Sequence, residues 1–313
     1  MLLVQQLRGG LVETVHPIAA AIADTSNVRA SFGGDFACFW RSSSKSMQLT
    51  TSLEQLPGEI VGALTPRELA IGAASHGATP EHVALVESLL ARFGRSVADL
   101  RCGAHWPSHE PSARALATVG EATAIHNNCS GKHTFMAAAT WARGWDPDYR
   151  PAEHPLQRLN AARVEDWCNC HAPSAIDGCG VPTFHVPVDA MARAFARLAA
   201  EMKTDSLAGR IGRAMAEEPE LVSSPGEGDA TLVRALREPA AAKRGAEGLL
   251  CVALPERGLG IAVKAHSGSM PAAEVAMRTI LDTIDPSLAG AWRSGAVVTN
   301  VVGAIVGERR AVW

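Results

Sequence analysis

Residues 248–265 read Gly-Leu-Leu-Cys-Val-Ala-Leu-Pro-Glu-Arg-Gly-Leu-Gly-Ile-Ala-Val-Lys-Ala. Two short apolar runs, Gly248 to Ala253 and Gly260 to Ala265, flank the turn Pro255-Glu256-Arg257-Gly258, which is the pattern of paired strands. Both chain ends read the same way. Leu11 to Ala23 is β-rich and opens on Gly9-Gly10, which predicts two N-terminal strands, and Gly295 to Val312 predicts a terminal β-hairpin. The interior is mostly helical. A short strand, Phe36 to Trp40, runs into Arg41-Ser42-Ser43-Ser44-Lys45 and a helix reaching Glu54. Thr65-Pro66-Arg67-Glu68 has a capping threonine, a first-turn proline and a glutamate three residues on, so a helix carries Leu69 to Ala74. Thr79-Pro80-Glu81 starts another, running to Phe93 with Val83, Leu85, Leu89 and Leu90 as its apolar stripe. Further helices are expected over Thr134 to Ala142, Val188 to Lys203 and Pro271 to Asp285, with a strand at Thr183 to Val186. Strands at both ends with helices between them predict an α+β fold rather than strict alternation. No repeat or linker divides the 313 residues, so residues 1–313 are expected to form a single catalytic unit.

Composition narrows the class. The chain is 47% hydrophobic and 19% charged, which excludes a disordered or fibrous chain. Twenty-nine Lys and Arg against 32 Asp and Glu leave no basic excess for nucleic acid or an anionic membrane. No apolar run approaches the ~18 residues of a membrane span, and Met-Leu-Leu-Val-Gln-Gln-Leu-Arg is not read as a leader. Seven cysteines, an odd number in a long chain, fit a reducing compartment, and a cytoplasmic location is expected.

Three motifs could carry chemistry. In Ser42-x-x-Lys45 a lysine kept neutral could activate a serine hydroxyl, although the spacing is common by chance. Cys129-x-x-Lys132 with Cys179 places two thiols and an amine in glycine-rich loops. They could hold zinc, or simply be reduced thiols packed together. Cys168-Asn169-Cys170-His171 is tighter but lacks a second ligand pair and reads as packing or surface residues. Lys264 closes an apolar strand, and a buried ammonium there needs a partner, for which a serine hydroxyl would serve.

These islands occur in an order that resembles a known family. Arg41-Ser-Ser-Ser-Lys45, Ala74-Ser-His76, Cys102-Gly-Ala-His105, Asn128-Cys-Ser-Gly-Lys-His133, Asp177-Gly-Cys-Gly-Val-Pro182, Gly260-Ile-Ala-Val-Lys264 and Asn300-Val-Val-Gly303 with Val306-Gly-Glu308 are similar to the Rhizobium-type, class 3 L-asparaginases of the asparaginase II family. The resemblance implies a serine β-lactamase/glutaminase-like architecture, with an antiparallel sheet carrying both termini, flanking helices and an adjoining, mostly helical part. It implies hydrolysis of L-asparagine to L-aspartate and ammonia, with Ser42 as nucleophile, Lys45 as its base, and Ser75 with Lys264 as a second Ser–Lys pair. Arg41, Asp177 and His133 would bind substrate. Cys129, Lys132 and Cys179 would ligate zinc, and the protein would be a homodimer. A glutaminase or another β-lactamase-like amidase, or a non-catalytic amino-acid-binding homologue, are the alternatives. Three places depart from the family pattern: Ser46 stands where proline is usual, Gly77-Ala78-Thr79-Pro80 replaces Ser-Gly-Glu-Pro, and Ser223 to Asp229 matches its glycine-rich loop only loosely.

Overall fold

The computed structural model describes residues 2–313. Eleven strands are present among them: β1 (Leu3–Arg8), β2 (Leu11–Ala23), β3 (Val28–Phe32), β4 (Ala37–Phe39), β5 (Ser174–Ile176), β6 (Pro182–Pro187), β7 (Ala241–Gly245), β8 (Leu249–Leu254), β9 (Leu259–Ala265), β10 (Val297–Thr299) and β11 (Ile305–Val312). The helices are α1 (Lys45–Leu53), α2 (Gly58–Gly62), α3 (Pro66–Gly72), α4 (Pro80–Arg92), α5 (Glu110–Val119), α6 (Ser130–Ala142), α7 (Pro155–Cys168), α8 (Val188–Glu201), α9 (Leu207–Glu217), α10 (Pro219–Val222), α11 (Gly228–Ala235) and α12 (Met270–Ile284). No helix among the described residues is long and apolar enough to cross a membrane.

The main sheet is antiparallel, in the order β10-β11-β1-β2-β9-β8-β7, with β3 also on β2. Both chain ends lie in it side by side, Leu3 opposite Val312. The expected α+β architecture is therefore present, and the two runs at 248–265 pair as β8 and β9, Val252 opposite Ile261. β8 is buried at every position because both faces of the sheet are covered, which is why it reads as an unbroken apolar run. On β2, Ile18, Ala20 and Ile22 join the core under α12, while Ala19, Ala21 and Ala23 face the larger core shared with α8 and the helical part. A small sheet, β4-β6-β5, joins the main body to the site.

Close approach of α8 to the sheet depends on one glycine. A Cβ at Gly260 on β9 would stand 2.1 Å from both the Ala192 carbonyl oxygen and the Ala196 nitrogen. Both atoms are helix backbone, so α8 has to retreat as a unit. Gly260→Ala is expected to lower unfolding stability by about 3 kcal/mol, read as the midpoint of urea denaturation. An unchanged midpoint would mean that the helix shifts freely.

Local differences from the sequence expectations have identifiable causes. The capping box at Thr79 is closed by His82, whose ring accepts the Thr79 amide, and this turns His82, Val86, Leu89 and Leu90 inward. Val83 and Leu85, expected in the stripe, are only partly buried. α6 begins four residues before Thr134, because the Asn127 side chain accepts the Cys129 amide at 2.9 Å and starts the helix there.

Candidate active site

Three backbone segments converge on Lys45. The first is the turn Arg41–Ser44 that opens α1. Arg41 has φ of 50°, a left-handed conformation costly for a residue with a side chain, on the order of 1–3 kcal/mol. Its surroundings hold it there: its amide donates to Thr183 Oγ1 at 3.0 Å, its carbonyl accepts Ser44 Oγ at 3.0 Å, and the preceding Trp40 amide donates to the Phe184 carbonyl at 2.8 Å. The strain sits immediately before Ser42, which is half-exposed while Ser43 and Ser44 are buried. Ser43 is occupied structurally, donating to the Lys243 carbonyl at 2.9 Å.

The second segment is the extended strap Ala74–Ala78 between α3 and α4. It is held by the Ser75 amide on the Val222 carbonyl at 2.8 Å and the Gly77 amide on the Ser223 carbonyl at 3.1 Å. No side chain fits at Gly77, where a Cβ would come within 2.1 Å of Ser224 Oγ and 2.9 Å of His109 Cβ. The third is the start of α6. His76, wholly buried and held neutral by burial and then by the neighbouring His82 and Lys45 charges, accepts the Ala78 amide on Nδ1. Its remaining proton is on Nε2, so it donates to Ser130 Oγ at 2.9 Å, tying the strap to α6.

Lys45 is buried at this junction. Its Nζ donates to Ser75 Oγ at 2.9 Å and to the Ala74 and Asn128 carbonyls at 2.5 and 3.4 Å. Three acceptors match the three N–H bonds of an ammonium. One expectation needs correcting. Ser75 does not pair with Lys264; it pairs with Lys45. Lys264 is buried on β9 but donates to the Glu247 carbonyl, and the titratable groups acting on it are Cys38, Glu247 and Arg41. The cause is strand placement: Lys264 lies opposite Ala19 on β2 and Leu249 on β8, within the sheet rather than at its edge.

The edge position belongs to a lysine that the sequence reading missed. Lys243 on β7 is fully buried, and its strand packs against the turn carrying Ser42. Burial pushes its ammonium down to about 7, with Asp229 opposing and Lys45 and Arg244 adding to the fall. The available signal was Ala240-Ala241-Ala242 ending in a lysine, the same feature that drew attention to Lys264.

Arg41 and Asp177 form an ion pair, Nε to Oδ1 2.6 Å, with Arg41 the more exposed partner. The turn of Asp177 is closed by its own amide on the Val181 carbonyl and by the Gly180 amide on the Asp177 carbonyl, both at 2.9 Å. His133 is buried and neutral for the same reason as His76, burial first and then the Lys132 charge. Its Nδ1 meets the Tyr149 hydroxyl at 3.0 Å, and Nε2 is left without a partner among the described residues. The Ser46 hydroxyl, at the position where the family pattern has proline, is likewise buried and unpartnered.

Cys129, Lys132 and Cys179 do come together. Lys132 Nζ donates to Cys179 Sγ at 3.3 Å. The Cys129 thiol beside it, and then Lys132, hold Cys179 well below the usual thiol range against the effect of burial. Cys129 is pushed up to about 12 by its closeness to Cys179 and then by burial, and its S–H donates to Asn128 Oδ1 at 3.2 Å. For Lys132 burial works downward, but Cys179, Cys129 and Asp177 outweigh it and its value is raised. Two sulfurs and an amine, all buried, suit a soft or borderline ion such as zinc and leave a fourth position open. Cys129 and Lys132 would each release a proton on binding. Among the described residues no three His, Cys, Asp or Glu side chains gather as a metal site. Cys168-Asn169-Cys170-His171 does not assemble one, since the His171 ring is exposed and bonded to Glu165 at 2.7 Å.

The chain matches the model of a family described as L-asparaginase II over residues 4–309. No curated protein matches it. Among solved structures it is similar to Mglu in its native form, with 16% identity, 86% of this chain and 64% of that chain covered, and a TM-score of 0.39. It is also similar to a β-lactamase from Mycobacterium bovis, with 13% identity, 86% and 93% covered, and a TM-score of 0.40. The chain thus spans less than two thirds of the length of Mglu.

Proposed function

Because this chain belongs to the L-asparaginase II family, we propose that it is an amidohydrolase that converts L-asparagine to L-aspartate and ammonia through an ester on Ser42. The observation that carries this reading is the buried Lys45 Nζ, 2.9 Å from Ser75 Oγ and three residues along α1 from a half-exposed serine on a strained turn. An ammonium cannot act as a base, so in the first step a proton passes from Lys45 Nζ to Ser75 Oγ while the proton of the Ser75 hydroxyl passes to solvent water. Neutral Lys45 then takes the Ser42 proton as Oγ bonds to the side-chain amide carbon. The oxyanion draws on backbone N–H groups and the positive end of α1. When the C–N bond breaks, the proton on Lys45 goes to the departing nitrogen and ammonia leaves. Water attacks the ester, gives its proton to Lys45 and then to Ser42 Oγ, and aspartate is released.

Substrate class follows from the ion pair at the mouth of the site. Arg41 and Asp177 present one charge of each sign, and a free amino acid brings the matching carboxylate and ammonium. His133 keeps an unused ring nitrogen, and Asp177 is among the charges that act on it. Ammonia release from L-asparagine, L-glutamine and propionamide tests the assignment. Asparagine is expected to be the best substrate and propionamide, which lacks both charges, the poorest by about 10²-fold or more. Propionamide turned over as fast as asparagine would remove the amino-acid reading.

Zinc held by Cys129, Lys132 and Cys179 would supply a fixed positive charge that binds and orients the substrate. The purified protein is expected to carry about one equivalent by elemental analysis. Cys179→Ser is expected to lower affinity for zinc by 10-fold or more, on the order of the loss that accompanies a removed ligand contact. Metal content unchanged in both Cys179→Ser and Cys129→Ser would contradict this ligand set.

A further inference from the structure

Two buried groups beside the site take no part in the steps above. Lys243 on β7 and Asp229 in the first turn of α11 have side chains 0% and 2% exposed, and Lys243 Nζ stands 3.7 Å from Asp229 Oδ2. That oxygen also accepts the Arg244 amide at 3.2 Å. Asp229 Oδ1 has no hydrogen-bond partner among the described residues, with Arg244 Nε 3.8 Å away. Lys243 Nζ donates to the Arg244 carbonyl at 3.0 Å. The pair bridges two of the segments that build the site. The Lys243 carbonyl is bonded to Ser43, next to Ser42. The chain entering α11 holds the strap of Ser75 through Val222 and Ser223.

Packing alone is poorly served by such a pair, since apolar side chains of similar volume stabilise a buried site as well or better. We propose that Asp229 is a positioning residue for the amide chemistry: its carboxylate, 3.7 Å from Lys243 Nζ, keeps a positive charge on Lys243 close to the Ser42 turn, and that charge favours the neutral form of Lys45 that takes the proton of Ser42. This rests on the roles given above to Ser42 and Lys45. The Lys45 charge is among those that push Lys243 down, and the repulsion between two ammonium groups is mutual. Asp229 opposes the loss of the Lys243 proton, and a Lys243 that stays charged makes a proton on a neighbouring ammonium easier to remove. The groups facing Lys243 are Asp229 on α11, Lys45 on α1, Arg244 beside it on β7, Cys251 across on β8, Cys129 ahead of α6 and His76 on the strap. Asp229 is the nearest anion. Burial alone would raise its own value, but Lys243 and Arg244 outweigh that and hold it ionised.

The test uses Asp229→Asn, nearly identical in shape, in full-length protein labelled with ε-¹³C lysine. The Lys243 signal is assigned by its loss in Lys243→Met. Removing the anion should move the Lys243 titration midpoint down by about one pH unit or more, and the acid limb of kcat/KM for L-asparagine upward, with KM little changed. A role confined to packing would move neither. In the double variant Asp229→Asn/Lys243→Met both charges are gone, so it is expected to fold, and its activity should match that of Lys243→Met alone. A further loss in the double variant, or an unmoved Lys243 midpoint in Asp229→Asn, overturns the proposal. The midpoint needs no turnover to be read. A shifted midpoint in a protein that does not hydrolyse asparagine would fail the asparaginase reading and leave the Asp229–Lys243 coupling standing.

Discussion

Ser42→Ala is expected to lower kcat for L-asparagine by about 10⁴-fold or more while leaving the thermal unfolding midpoint close to that of the wild type. The size follows from removing a nucleophile that acts together with its base, where losing one member costs nearly as much as losing both. The small effect on stability follows from the position. Ser42 is half-exposed, and the hydroxyls that brace the turn are those of Ser43 and Ser44, on the Lys243 and Arg41 carbonyls. The left-handed Arg41 is untouched by the change. Steady-state ammonia release, together with a thermal melt, reads both halves. Residual activity within 10-fold of the wild type would move the nucleophile elsewhere, with Ser75 the next hydroxyl on Lys45.

Lys45→Met is expected to lower kcat by about 10³-fold, the loss typical of a removed general base. Substrate binding should change little, because Arg41 and Asp177 stand at the mouth and do not bond to Lys45. Stability has two opposing contributions. Methionine fills most of the volume and removes a buried charge, but the Ala74 and Asn128 carbonyls and Ser75 Oγ lose their donor, at roughly 1 kcal/mol or more for each group left unpaired. A lower melting temperature is therefore expected beside the loss of rate. Adding Ser42→Ala to Lys45→Met should cost little more, since the two act as one unit. Two independent losses that multiply would show that lysine and serine serve different steps.

The fold was legible wherever burial leaves a periodic trace or a cap leaves a signature. β8 and β9 read directly as apolar runs, β2 as a β-rich segment opening on Gly9-Gly10, and α3 announces itself by Thr65, Pro66 and Glu68, whose capping box is present. β7 was not legible. Ala-Ala-Lys-Arg-Gly has little strand preference and two cations, and only its pairing with β8 and its packing against the Ser42 turn make it an edge strand. Missing β7 also meant missing Lys243, and the Ser75 pairing that the resemblance gives to Lys264 belongs to Lys45. The meeting of Lys45 and Ser75 is a tertiary fact. Twenty-nine residues of chain separate Lys45 from the Ala74 carbonyl, and no spacing rule spans that. The pairing of Cys129-x-x-Lys132 with Cys179 is similar: the spacing inside the first motif is readable, whereas Cys179 is delivered by the separate turn that Asp177 closes.

An ester on Ser42 is the central claim, and hydroxylamine partitioning tests it most directly. Hydroxylamine competes with water for an acyl-enzyme, so the zinc-loaded wild type acting on L-asparagine should form aspartyl hydroxamate in proportion to the nucleophile added, without a fall in ammonia release. Ser42→Ala should form none. Ammonia released with aspartate as the sole product at every hydroxylamine concentration would contradict the ester, and would point to water attacking the amide directly.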